Sequence, residues 1–204
     1  MRKTLVTILG FVATSIATPS LGNSAPATPP VYTPPPAIAQ DGYITFTSRQ
    51  TFPLPKEVAS EWIYTGLKVL AARSQSENFS KPIEVENIKG KWPAVDSVRR
   101  TEFSDGHFIF ERPIIADPYY FEYQVWGFTN PKRDAVDYTH SHYRLEDGSR
   151  GESVFTWTIK AKFKDGQEPT SREGAAPGLQ QMMDDTLYQL YSLAASEFGF
   201  YDQT

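Results

Sequence analysis

The 204-residue chain contains no cysteine, which excludes disulfides, thiolate metal sites, iron–sulfur clusters and cysteine nucleophiles. Histidine is scarce, with three in all. A basic excess is also missing. Lys plus Arg number 20 against 24 Asp plus Glu, a net charge of −4 that leaves nothing to neutralise nucleic-acid phosphates. No G-x-S-x-G elbow or H-E-x-x-H helix occurs, and Gly148-Ser149-Arg150-Gly151 makes neither a P-loop nor a dinucleotide fingerprint. The apolar run Leu5–Ala17 falls well short of the roughly 20 residues that a membrane-spanning helix needs. What is abundant is apolar and aromatic: 40% of residues are hydrophobic, with 13 Phe, 11 Tyr and 4 Trp. Such a chain buries enough surface to offset ordering entropy, so a folded domain is expected.

Arg2 and Lys3 precede the apolar run, and small or polar residues follow it to Ala25. That is the layout of a cleaved secretory signal over residues 1–25, with small residues flanking cuts after Ala17 or Gly22. The mature protein is thus expected to be exported, periplasmic or secreted, without stable membrane insertion. No cysteine is there to carry a lipid anchor. Residues 26–40 are proline-rich and read as a disordered spacer of polyproline II character. Losing Arg2 and Lys3 leaves 18 basic against 24 acidic residues, so the domain over 41–204 is acidic.

Alternation and turn residues predict strands over Tyr43–Phe52, Ile83–Ile88, Val95–Phe103, His107–Ile115, Tyr119–Phe128, Val136–Leu145 and Ser153–Lys164. Helical spacing marks Lys56–Ala72, which Gly66 is expected to break into two short helices, and Leu179–Phe198. In the last helix Leu179, Met183, Leu187, Leu190, Ala194 and Phe198 share one face, while Asp184, Asp185, Gln189 and Glu197 lie off it. Phe155, Trp157, Ile159, Ala161 and Phe163 share one side of their strand, with Thr156, Thr158, Lys160 and Lys162 on the other. The expected class is α+β: an antiparallel sheet with a dry face under the helix and a wet face outside.

Along the chain come Trp92-Pro93, Val98-Arg99-Arg100, Asp105-Gly106, Phe110-Glu111-Arg112, Asp117-Pro118, Tyr123 and Val154-Phe155-Thr156-Trp157. In that order and spacing, over about residues 43–198, the chain resembles the START-like or SRPBCC superfamily, most of all its polyketide cyclase/dehydrase-type branch. The resemblance implies the helix-grip fold, with a curved sheet of six or seven strands wrapped around a long C-terminal helix. It also implies a cavity between sheet and helix that takes up apolar or amphipathic molecules.

Aromatics dominate cores and pockets alike, so the lining is expected from Phe110, Phe121, Tyr123, Val125, Tyr143, Phe155, Trp157, Met183 and Leu187. Arg100 and Glu111 lie on strands joined by the turn Ser104-Asp105-Gly106 and are expected to pair across it. Inside a pocket that pair would orient a head group or supply a general acid. His140 and His142 share a strand face, but with His107 as the remaining histidine they make no recognisable metal set. No metal or cofactor is expected. The leading functional expectation is an exported module binding a hydrophobic small molecule or lipid. The alternatives are a cyclase/dehydratase-type enzyme, with its acid or base drawn from Glu111, Arg100, Tyr123 or His140, and an envelope protein-interaction module.

Overall fold

The computed structural model describes residues 34–35, 43–73, 80–169, 174 and 178–200. The leader, most of the proline-rich stretch, and Asn78 and Phe79 of the Asn78-Phe79-Ser80 glycosylation sequon lie outside the described residues. Seven strands form one sheet: β1 Tyr43–Phe52, β2 Pro82–Lys89, β3 Val98–Phe103, β4 Phe108–Asp117, β5 Tyr120–Trp126, β6 Val136–Asp147 and β7 Ser153–Phe163. All neighbours are antiparallel in the order β1-β7-β6-β5-β4-β3-β2, so the first strand pairs with the last. Helix α1, Lys56–Arg73, follows β1, and α2, Leu179–Phe198, ends the fold. Among the described residues no helix is long and apolar enough to cross a membrane.

Helix α2 lies on the concave face of the sheet against β1 and α1. Five of its six stripe residues, Leu179, Met183, Leu187, Leu190 and Ala194, are buried against Phe46, Phe52, Phe155, Ile159 and Phe163. Phe198, the sixth, is half open and meets Trp62 edge-on at 6.1 Å. Two acidic residues flanking the stripe are put to use: Ser48 Oγ donates to Asp184 Oδ1 and Trp62 Nε1 to Glu197 Oε2, both at 2.6 Å. These bonds fix the helix against β1 and α1 beyond what apolar packing specifies.

The break expected at Gly66 does not occur; α1 runs through it without interruption. A Cβ there would stand 2.5 Å from Leu190 Cδ1 and 3.0 Å from the Trp62 ring, so the missing side chain is what lets α1 and α2 approach. The β3–β4 hairpin turns as expected, with Gly106 at φ +80° and the Phe103 amide donating to the His107 carbonyl at 2.8 Å. Strand β3 starts three residues later than predicted. Residues ahead of it are turns, with Asp96 at φ +61° and Val95 exposed.

The convex face is less wet than alternation predicts. Lys160 and Lys162 are half-buried there, Thr158 is buried, and Val98, Phe110, Trp126 and Tyr138 form a buried cluster of their own. Hydrophobic period alone cannot reveal this, because a polar residue reads as outward whether or not another segment covers it. Pro34 and Pro35 are half-buried, and the Pro35 carbonyl accepts from Arg112 Nη2 at 3.3 Å, so at these two positions the spacer touches the domain.

Candidate ligand site on the concave face

Strand β5 alternates, and its register fixes what faces inward. Phe121 lies opposite Tyr143, Tyr123 opposite Ser141 and Val125 opposite Thr139; Tyr143 in turn lies opposite Trp157 on β7. Large rings thus meet small residues across part of the face and one another elsewhere. Tyr143 is the centre, stacked on Phe155 at 5.4 Å, on Tyr123 at 5.5 Å and on Phe121 at 6.4 Å, and tilted against Trp157 at 5.6 Å. The Tyr123 hydroxyl donates to that of Tyr143 at 3.2 Å. Burial pushes both phenols above the ordinary tyrosine range.

The expected lining therefore divides. Phe155, Trp157, Met183 and Leu187 belong to the core packed under α2, where Met183 and Leu187 are fully enclosed. Phe121, Tyr123 and Val125 form a second cluster with Trp92, against which Ile109, Phe128 and Tyr143 pack; Tyr143 and Phe128 touch both clusters. Phe110 does not belong. It lies opposite Trp126 in the β4–β5 pair, on the convex face, while its neighbour Glu111 lies opposite Val125 and points inward.

The charged pair is also displaced by one residue. Arg99, not Arg100, stands opposite Glu111, and its Nε donates to Glu111 Oε2 at 2.6 Å. Thr101 Oγ1 donates to the same oxygen at 2.8 Å, and the Arg99 guanidinium lies 3.7 Å over the Trp92 ring. Arg100 falls on the opposite face, over Phe108, bonded to Glu102 at 2.5 Å. A strand's two-residue period makes a one-place slip a change of face. Pairing in this hairpin is symmetric about Asp105, so counting outward from the turn would have found Arg99. Trp92, which the sequence offers only within the family-like pattern, is a wall of the site. It stands in a turn before β3, held edge-on to Phe121 at 5.9 Å, where no periodicity points to it.

The histidines are dispersed. His140 Nε2 bonds Glu122 Oε1 at 2.8 Å on the convex face, so it is not a concave-face acid or base. His142 is tilted against Tyr120 at 5.6 Å, and His107 lies by Thr129 at the end of the sheet. Burial lowers the His142 pKa.

Between α1 and the sheet a small hollow lined by Ile63, Tyr64, Tyr143 and Phe155 measures about 10 Å³. A larger one of about 150 Å³ lies at the sheet end beyond the Trp92 cluster. Phe103, Phe108, Ile109 and Phe128 give it apolar walls, and Asp105, His107, Lys132 and Arg133 stand at it as polar groups. Ile109 and Phe128 belong to both that hollow and the Trp92 cluster.

No family model matches this sequence, and a search of curated proteins gives no match. Solved structures do match. Ara h 8.0201 superposes with a TM-score of 0.59 at 15% identity, over 76% of this chain and 99% of its own. The protein XoxI from Bacillus cereus gives 0.54 at 18% identity, over 76% and 97%. An uncharacterized protein from Bacillus thuringiensis gives 0.52 at 17% identity, over 74% and 98%. At such identities the likeness concerns architecture. Seven antiparallel strands curved about a C-terminal helix, the first strand closed on the last, give this chain the helix-grip fold of the START-like and Bet v 1-like proteins.

Proposed function

We propose that this protein is exported and binds a hydrophobic or amphipathic small molecule at the concave face, on the β4–β5 side that α2 leaves to other residues. The hollow of about 150 Å³ beside Ile109 and Phe128 carries this reading. An apolar cavity of that size holds a benzene-sized group. Lys132 and Arg133 at the same hollow would take an acidic head group, while the apolar body lies toward Phe121 and Trp92. The family resemblance supports the same class of ligand, and the leader-like N-terminus supports export.

The test is titration of delipidated protein with an apolar fluorescent probe. One-to-one saturable uptake is expected, and Ile109→Trp, which fills the hollow, should abolish it. Tyr188→Ala, at an exposed position on α2, should leave uptake unchanged. No saturable uptake by the unmodified chain overturns the reading. Intact mass of the protein from its own host tests export: a chain beginning downstream of Ala17 is expected, and an intact Met1 overturns it.

The buried Arg99–Glu111–Thr101 group beside the Tyr123 and Tyr143 hydroxyls favours a second reading, a cyclase/dehydratase-type enzyme. Glu111 Oε2 already accepts two hydrogen bonds, so its first role is to anchor Arg99. Turnover of the bound compound, lost in Glu111→Gln, would establish catalysis; binding without turnover leaves a carrier.

A further inference from the structure

A second, open groove of about 780 Å³ lies where β5 begins, β6 ends and α1 starts. The hollow beside Ile109 and Phe128 is at the other end of β5, about 20 Å of strand away. Register sets Tyr120 opposite Arg144 and Glu122 opposite His142. The rings of Tyr120 and His142 are tilted against each other at 5.6 Å. The Tyr120 hydroxyl donates to Glu122 Oε2 at 2.6 Å, and His140 Nε2 bonds the other oxygen of that buried carboxylate at 2.8 Å. Tyr120 is thereby held from behind. Tyr119 is held too: its amide donates to Asp117 Oδ1 at 3.0 Å and its carbonyl accepts from the Leu145 amide at 2.9 Å. Rings fixed before a ligand arrives lower the ordering cost of binding it.

The charges of the groove cancel. Lys56 pairs with Asp147 at 2.6 Å and Arg144 with Glu146 at 2.9 Å. Burial holds His142 below the usual imidazole range, so at neutral pH its ring is uncharged and offers one donor and one acceptor. Each ligand class can be weighed against this lining. A cation would find Tyr119 already covered by Lys56, whose Nζ stands 4.9 Å over the ring. An anion would meet Glu146 and Asp147, both exposed. A wholly apolar molecule would strip water from four charged groups in exchange for two phenols and one buried leucine, Leu145. What fits is an uncharged molecule with an apolar face for the rings and many hydroxyls, each both donor and acceptor, for the ion pairs. A pyranose ring is such a molecule: its C–H bonds line one face and meet the negative face of an aromatic ring. Its neighbouring hydroxyls can bridge the donor and the acceptor of one ion pair.

We propose that this groove is a second binding site, one that takes a neutral hexopyranose unit of a glycan chain. The sugar lies on Tyr119 and Tyr120, with its hydroxyls bonded by Arg144, Glu146, Asp147 and His142. Because the groove is open, the glycan can continue beyond the bound unit in either direction. The site does not depend on the concave face: none of its residues lines the hollow beside Ile109 and Phe128.

The test is NMR titration of the purified chain with maltotetraose, cellotetraose, mannotetraose and chitotetraose into the millimolar range. At least one should give saturable shifts at the Tyr119, Tyr120 and Leu145 amides and at the His142 ring. Tyr120→Ala and Arg144→Ala should each weaken that binding about tenfold. Arg144 is exposed, so its variant keeps the fold even if Tyr120→Ala does not. Tyr188→Ala removes a more exposed phenol on α2 and should change nothing. Absence of saturable shifts with all four sugars overturns the site. An equal loss in Tyr188→Ala also overturns it, as unspecific contact with exposed rings. Shifts at Ile109 and Phe128 instead would assign the sugar to the concave hollow and leave the groove without a role. Tighter binding of an oligogalacturonate or of a chitosan tetramer than of every neutral sugar overturns the neutral class.

Discussion

The two halves of the concave face are built on different principles. Under α2, the side chains of β1 and β7 meet Leu, Met and Ala, and the groups that hold the helix sideways, Asp184 and Glu197, stand at its margin. Over β3 to β6 the same face keeps an arginine, a carboxylate, a threonine and two phenols among its aromatics. Polar groups in a buried place add little net stability and cost much if left unpaired. Their retention in one half only separates the half that stabilises the fold from the half that has room for chemistry. A helix laid over a sheet demands an apolar complement; a face left free of it does not.

The contrast can be broken most severely under α2. Leu190→Ala removes a fully buried side chain between the helices and should cost about 4 kcal/mol, read from denaturant unfolding. In the other half, Arg99→Met should cost about 3 kcal/mol, because Glu111 keeps its burial and loses its counter-ion. Replacing both, Arg99→Met with Glu111→Leu, should recover most of that loss; equal destabilisation by single and double variants would show that the pair is structural.

Gly66→Ala sharpens the first half alone. Overpacking against Leu190 and Trp62 should destabilise by about 1–2 kcal/mol, although alanine is the better helix former by about 1 kcal/mol. Alkaline titration reads the second half. Tyr123 and Tyr143 keep their protons in the folded chain where the unfolded chain, with ordinary tyrosines near pH 10, loses them. The folded state then binds more protons, so stability is full below pH 10 and falls as pH rises above it. Tyr120, pushed up to about 12 by burial and its bond to Glu122, adds to the same fall from the convex side. Tyr143→Phe should make the decline shallower, and an unchanged slope would remove the phenol pair from the account. The smallest effect belongs outside both halves: Arg144→Ala breaks an exposed pair with Glu146 and should change stability by less than about 0.5 kcal/mol.

Much of this architecture is legible in the residues. Helix α2 coincides with the predicted Leu179–Phe198, and each predicted strand exists, most with ends shifted by one or two residues. Periodicity finds such elements because burial on one side imposes it. The inward set Phe121, Tyr123, Val125, Tyr143, Phe155 and Trp157 was readable for the same reason. Phe110 and Arg100 went astray where charged and aromatic residues adjoin, as in Arg99-Arg100 and Phe110-Glu111, since neither type there declares its face. Gly66 reads as a helix breaker until the partner it makes way for is known.

By itself, then, the sequence determined the elements, their α+β class and the face of each regularly alternating strand, since these follow from local propensity and period. The absence of cysteine was equally decisive without any structure. Tertiary structure alone decided that Arg99 meets Glu111, that Trp92 closes the site from a turn, and that Arg112 meets Pro35. Each joins residues through hairpin register, an irregular turn or a segment outside the sheet. Contacts of that kind depend on where backbones come together in space, and no period along the chain records them.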